Sequence, residues 1–531
     1  MAGRLALRLV DKTAVRLSLR PSTVSLDVRR RAGGSATDSA PAGSVRTEAD
    51  LPHISLPTLL YRLIVKGYYN QVHELQLYEK QLYGPMFKVS NGKFHTISLC
   101  NVELLEELMR KDETFPCRSD MTLWTEYRDM KDLGYGPFTQ EGEKWYKLRA
   151  VLNKRMLHPR DSVKYENVVN DVITDFIKRI YHLRETSSTG DLVSNFSDEL
   201  HRFSLEGIAC ILFETRIGCL EKEIPAETQG FINSITQMLT SSVLVLLLPK
   251  WTQNYLPFWK RYVDGWDGIF LFAHKLIDKK MEDIQKLLDA DQEVEGGYLS
   301  YLLSKTNMSQ KDVYGSVTEL LLAGVDATSS SITWALYLLA RNPEAQETLY
   351  REVSSIVKED RIPSTADISR MSYLKAVVKE TLRVYPAVPL NGRVMTESDV
   401  IIGGHFFPKK TSFAIYHYAI SQDETVFPEP RSFKPERWLR DGHERPNPFG
   451  SIPFGFGVRG CVGKRIAELE LHLILARIIS KFEVKLDPNV GEVKAVMRFV
   501  LVADRPLSFC FLERKRAESV SQHLTQITDS Q

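Results

Sequence analysis

Residues 453–465 read PFGFGVRGCVGKR, and the run IAELELHLILARII follows at 466–479. Gly455, Gly457, Gly460 and Gly463 surround a single thiol, Cys461, at the predicted start of a helix. Gly455, Gly457 and Gly460 also spell Gly-x-Gly-x-x-Gly, the dinucleotide fingerprint. That fingerprint works only after a strand and inside a strand–helix–strand unit. Here Pro446, Pro448 and Pro453 precede it, and prolines spoil a central strand. Too little chain remains for a doubly wound sheet. A phosphate-binding loop fails as well: Val458 stands where its first glycine belongs, and Arg465 where Ser or Thr must follow Lys464.

A flat cofactor held by sulfur suits the stretch better. Small residues let a backbone pass close beneath a planar ring. A thiol at a helix N-terminus is expected to favour its anion. Haem held by one thiolate needs one cysteine and no partner motif, and Arg459 can meet an anionic propionate of the same ring.

Phe454-Gly-x-Gly-x-Arg459-x-Cys461-x-Gly463 resembles the haem-binding signature of cytochromes P-450. The resemblance implies a mainly α fold with minor β, a single large helical domain with small sheets. It implies haem b as cofactor, with Cys461 as the axial iron ligand and Phe454 and Gly455 in the loop that cradles it. Other family pieces stand in order. Glu380-Thr-Leu-Arg383, then Phe433-Lys-Pro-Glu-Arg437-Trp, matches a buried triad of Glu380, Arg383 and Arg437. Trp145-Tyr-Lys-Leu-Arg149 and Arg393 match propionate ligands beside Arg459. Ala323-Gly-Val-Asp326-Ala327-Thr328 matches the acid–alcohol pair that relays protons to oxygen, except that Ala327 occupies the usual Thr place. Thr328 is rotated about 100° further around the helix, so a local bulge or a water has to bring a hydroxyl into position. Family position makes Trp124, Leu321, Val388, Leu390 and Leu501 substrate walls.

Glu-x-x-Arg spacing alone proves nothing. Glu107 to Arg110 and Glu199 to Arg202 share it and read as surface helix pairs.

The N-terminus points to a compartment. Arg4, Arg8, Lys12, Arg16 and Arg20 fall every four residues, one basic stripe on a helix. Residues 1–46 hold eight Arg and one Lys against three Asp and no Glu, a charge of 9 − 3 = +6. Basic, hydroxyl-rich and acid-poor is the composition of a mitochondrial presequence. The whole chain is +2, so the body is 2 − 6 = −4, which argues against nucleic acid as a partner. The expected organisation is a transit peptide and flexible start at 1–46, a haem-thiolate monooxygenase domain at 47–516 and a polar tail at 517–531.

Such a start points to the mitochondrial class of the family. That class takes electrons from a [2Fe–2S] ferredoxin with its NADPH-dependent reductase, uses O2, and works peripherally on the matrix side of the inner membrane. Lys375 and Lys379, at i and i+4, match positions where the class docks ferredoxin. The resemblance, strongest to sterol side-chain hydroxylases and then vitamin D hydroxylases, runs from about Leu56 to Leu512. It implies hydroxylation of a sterol at a terminal methyl. A vitamin D secosteroid is the alternative substrate, and a partner-independent peroxide isomerase or a haem sensor is a more distant reading.

Periodicity of three and four predicts helices at 101–110, 144–157, 163–183, 198–213, 261–288, 312–340, 343–357, 369–384 and 464–480. Strands are expected at 86–89, 94–99, 400–403, 406–407, 412–416, 482–486, 496–502 and 507–512. Residues 241–259 join an apolar run to Pro249, Trp251, Tyr255, Pro257, Phe258 and Trp259. Buried core and a loop dipping into a membrane interface both suit them. The acidic stretch 289–298 is expected to be a loop.

Overall fold

The longest period-3.6 stretch becomes the central helix, Gln310–Arg341. Ser309 caps it, its Oγ accepting from the Asp312 N–H at 3.1 Å. Its side chains are buried around nearly the whole circumference, as expected of a helix in the middle of a large domain. Helix Phe196–Phe213 packs along it. Gly324 permits the contact, because a Cβ there would stand 2.7 Å from Ile208 Cγ1. Helices Pro257–Asp289, Ser372–Val384 and Lys464–Lys481 pack around the same axis.

The computed structural model describes residues 46–514, except 92–93, 119–120, 159–163, 291–296, 306–307, 359–360 and 441–445. Segment 1–46, apart from Arg46, and tail 517–531 lie outside the described residues, as does most of the 289–298 stretch.

Among the described residues four small sheets accompany the helices. The largest orders its strands His53–Ile54, Met86–Asn91, Phe94–Leu99, Ser412–Ile415 and Asn391–Val394. Met86 faces Leu99 across an antiparallel pair, and Thr96 aligns with Ser412 in a parallel one. A second sheet joins Phe482–Leu486, Phe509–Glu513 and Leu192–Val193. The main core lies among the helices, and a smaller one, including Ile97, Leu99, Phe413 and Ile415, lies on the large sheet.

Three local expectations are corrected. Residues 369–384 do not form one helix. The chain breaks at Met371, between Thr365–Arg370 and Ser372–Val384, and the Glu352 carboxylate accepts from the free N–H groups of Tyr373 and Leu374. Residues 496–502 are not one strand but a hairpin, Ala495–Met497 against Leu501–Ala503. Its tip holds Phe499 at φ +111°, a conformation that costs a bulky residue strain. Glu199 and Arg202 are no surface pair: Glu199 is buried and bonds Arg179 as well as Arg202. Glu107 pairs with Lys111, and Arg110 with Glu106.

Segment 241–259 divides between its two readings. Helix Ala226–Leu247 leads to a 3₁₀ turn at Lys250–Asn254 and then to Pro257–Asp289. Val245 and Trp259 pack on the core, whereas Leu246, Trp251 and Tyr255 stay 71%, 71% and 79% exposed. Among the described residues no helix is long and apolar enough to cross a membrane.

Candidate functional site

The stretch 453–463 forms a tight loop that ends on helix Lys464–Lys481. Gly455 at φ +72° and Gly457 at φ +67° take a left-handed backbone that only glycine adopts freely. Residues Gly457–Arg459 make a 3₁₀ turn, and the Cys461 N–H closes the loop on the Phe454 carbonyl at 2.7 Å. The Phe454 ring lies 5.7 Å from Lys464 Nζ. Cys461 sits deep among protein atoms, yet its side chain is open to a solvent-sized probe. Burial raises the thiol pKa, and the Gly463 N–H, Arg149 and Arg118 oppose it without prevailing.

Four guanidiniums form a linked cluster here: Arg149 and Arg118 act on the thiol, and Arg393 and Arg459 interact with Arg118. Arg459 lies 3.6 Å from the centroid of the Trp145 ring. It donates to the Pro116 carbonyl at 2.6 Å and to the Glu141 carboxylate. Burial pulls its pKa down to about 9, against the pull of Glu141. Arg149 donates to the Gly460 carbonyl at 2.5 Å and to Asn153 Oδ1 at 2.6 Å. Its pKa falls to about 10 for the same reason, opposed by Cys461. Arg393 pairs with Asp112 at 3.1 Å. Arg118 is the fourth; burial and the charge of Arg393 lower its pKa, while Glu141 and Cys461 raise it. No motif marks Arg118 in the sequence; its place beside the thiol and its orphaned Nε reveal it.

The helix Gln310–Arg341 is α throughout, Asp326 to Thr328 included, so no bulge brings Thr328 into the place of Ala327. The hydroxyls of Ser329, Ser330 and Ser331 return to the helix carbonyls of Asp326, Ala327 and Ala327. Asp326 Oδ1 lies 3.2 Å from Nε2 of His201 on the neighbouring helix, a partner 125 residues away that no sequence signal marked.

The sequence matches the cytochrome P450 family over residues 52–511. The chain belongs to the cytochrome P450 family. It is 46% identical over 478 residues to the rat protein "Sterol 26-hydroxylase, mitochondrial", covering 89% of this chain and 90% of that one. The human counterpart is 46% identical over 477 residues, 88% of this chain and 90% of that one. Human "25-hydroxyvitamin D-1 alpha hydroxylase, mitochondrial" is 38% identical over 477 residues, 88% of this chain and 93% of that one.

Haem, the cofactor of the P450 family, fits these residues. The four guanidiniums face two carboxylates, Asp112 and Glu141. The two positive charges left over match the two propionates of protoporphyrin. The indole N–H of Trp145 and the Nε of Arg118 are buried donors without a protein acceptor, and such donors require partners.

The Glu-x-x-Arg element of this P450 is fully built. Arg383 Nε and Nη2 reach Glu380 Oε2 and Oε1 at 2.9 and 2.7 Å. Arg437 Nε reaches Oε1 at 2.9 Å, Trp438 Nε1 reaches Oε2 at 2.8 Å, and the Lys434 N–H reaches Oε1 at 3.1 Å. The remaining guanidinium nitrogens donate to loop carbonyls, including Ser421 and Pro428. The triad therefore staples the segment 421–438 to the helix Ser372–Val384.

Of the family-implied walls, Trp124, Leu321 and Leu501 are buried, and Val388 and Leu390 partly so. Trp124 stacks on Phe499 with ring centroids 5.2 Å apart, so the strained hairpin tip joins this wall. The Leu501 N–H bonds the Ala387 carbonyl at 2.9 Å, next to Val388. Lys375 and Lys379 act on one another electrostatically, and Glu468 feels Lys464, Arg465 and Lys379 together. The two lysines are thus part of a larger basic cluster.

Proposed function

We propose that this protein is a mitochondrial P450 that hydroxylates the side chain of a sterol at a terminal methyl, using O2 and electrons from a [2Fe–2S] ferredoxin. The observation that carries the reading is 46% identity, over nearly the full length of both chains, to a mitochondrial sterol 26-hydroxylase. In this reading Cys461 Sγ is the iron's axial ligand. Arg118, Arg149, Arg393, Arg459 and the Trp145 N–H hold the propionates, and the Phe454–Gly455 turn shields the sulfur. Bound haem supplies the activation of O2 for insertion into an unactivated C–H bond. The protein's part is placement: Trp124, Leu321, Val388, Leu390, Phe499 and Leu501 exclude water and hold one carbon in reach. Asp326 carries protons inward, and Thr328 is the nearest hydroxyl beyond it in sequence. Segment 1–46 is the transit peptide, 47–516 the catalytic domain and 517–531 a polar tail.

Purified protein with reduced ferredoxin and its NADPH-dependent reductase is expected to add one oxygen atom to a C27 sterol side chain, read by mass spectrometry of the product. A sterol should also shift the haem absorption on binding. Faster turnover of a vitamin D secosteroid would transfer the reading to the 38% identical relative's chemistry; turnover without ferredoxin would overturn it. Ferredoxins of this kind are acidic, and the Lys375–Lys379 cluster suits a transient encounter with one. Lys375→Glu with Lys379→Glu is expected to slow reduction by ferredoxin on the order of tenfold at low salt. Haem content should stay unchanged, and an unaltered reduction rate refutes the docking surface.

Trp251 and Tyr255 provide peripheral contact with the matrix face of the inner membrane, since amphipathic rings sit well at a headgroup interface. Trp251→Ser with Tyr255→Ser should reduce flotation with cardiolipin-containing vesicles. Equal flotation of the variant and the parent would leave the segment without that role.

A further inference from the structure

The proton path is where this chain departs from its family pattern, and the structure holds an unassigned group beside it. His201 lies on helix Phe196–Phe213, which Gly324 allows to pack closely on the central helix. Its ring is bonded at both nitrogens. Nδ1 is 2.7 Å from the Ser197 carbonyl, one turn back on its own helix. Nε2 is 3.2 Å from Asp326 Oδ1. A carbonyl can only accept, so Nδ1 carries a hydrogen. Nε2 therefore faces a carboxyl oxygen either as a second donor or as the acceptor from a protonated acid. In both cases the pair holds one proton more than a neutral imidazole plus a carboxylate.

We propose that His201 is a positioning residue for proton delivery, holding between Nε2 and Asp326 Oδ1 the proton that Asp326 passes inward. This rests on the role of Asp326 stated above. The transfer balances simply. The proton moves from Nε2 to Oδ1, Asp326 would release it inward when haem is bound, and the neutral ring keeps its Nδ1 hydrogen on the Ser197 carbonyl. Water then restores the proton to Nε2, since 20% of the His201 side chain remains accessible. The hydroxyls of the serines that follow donate back to the helix backbone and not to Asp326 Oδ1.

Burial alone would depress the imidazole pKa, but the hydrogen bond and charge of Asp326, the Ser197 carbonyl and Asp198 raise it above the ordinary 6.5. Asp326 and Asp198 are the charged groups that bear on it. Nearby Arg179, from the helix Glu166–Glu185, and Arg202 are engaged by Glu199, Glu221 and Gln229. The ring's extra proton is held below pH 6.5 and is lost as pH rises through the raised value.

The direct test is ¹⁵N-histidine NMR on the holoenzyme as its ferrous carbon monoxide complex, which is diamagnetic. One resonance, absent in His201→Gln, should stay doubly protonated above the ordinary range and return towards it in Asp326→Asn. An ordinary or depressed titration overturns the proposal. In turnover, His201→Gln should lower product formed per oxygen consumed by about tenfold, the scale of one charge-assisted hydrogen bond. Sterol-induced spectral change and haem content should not move. If Asp326→Asn uncouples and His201→Gln does not, His201 has no part in delivery. If Asp326→Asn itself leaves coupling intact, the role of Asp326 fails instead.

Discussion

Cys461→Ser should abolish monooxygenation and the red-shifted absorption of the carbon monoxide complex. Serine removes one polarizable sulfur and leaves the loop otherwise intact. Gly455 and Gly457 keep their positive φ angles, and the N–H of residue 461 still reaches the Phe454 carbonyl. The fold should therefore survive, which circular dichroism can verify, while the electron-rich ligand that favours O–O cleavage is gone. The hydroxyl is a far weaker acid than the thiol it replaces, and the burial that already raises the thiol pKa disfavours an alkoxide still more. Retention of either the red-shifted band or steady product formation would refute Cys461 as the iron ligand.

Glu380→Ala should yield protein with little haem and a much lower unfolding midpoint. The Glu380 carboxylate accepts from Arg383, Arg437, Trp438 and the Lys434 backbone. Glu380 and Arg383 are fully buried. Removing the acid leaves guanidiniums without their counter-charge, a loss of about 3–5 kcal/mol. That is a large share of a domain's usual ~5–15 kcal/mol. It also frees 421–438, the segment leading to the cysteine loop, from the helix Ser372–Val384. Glu380→Gln preserves shape and some acceptors, so its deficit should be smaller. Urea unfolding and the haem-to-protein ratio measure both; a Glu380→Ala midpoint close to the parent's would remove the triad's structural role.

The reading from residues worked best where chemistry is local. The cysteine loop needs glycines at fixed places because the backbone turns left-handed there, and those glycines are visible without coordinates. Helices with strong apolar periodicity, such as Gln310–Arg341 and Lys464–Lys481, lay within a few residues of their predicted limits. Helix Ala226–Leu247 was missed because its apolar run is nearly continuous towards the end, which blurs the period. The hairpin at Ala495–Ala503 read as one strand because both arms are apolar and no glycine marks the turn; Phe499 turns it under strain instead.

What the sequence determined by itself was the haem-thiolate chemistry and the helical class, because residue type and spacing carry both; the Glu380 triad followed from the family resemblance and not from its spacing. Tertiary structure alone added Arg118 to the cations near the thiol, and decided that Phe499 stacks on Trp124 and that Asp326 faces His201. Those contacts join residues far apart in the chain. They arise from close packing of helices such as Phe196–Phe213 on Gln310–Arg341, and although packing leaves an apolar period on each helix, nothing in the sequence marks which residues meet across two of them.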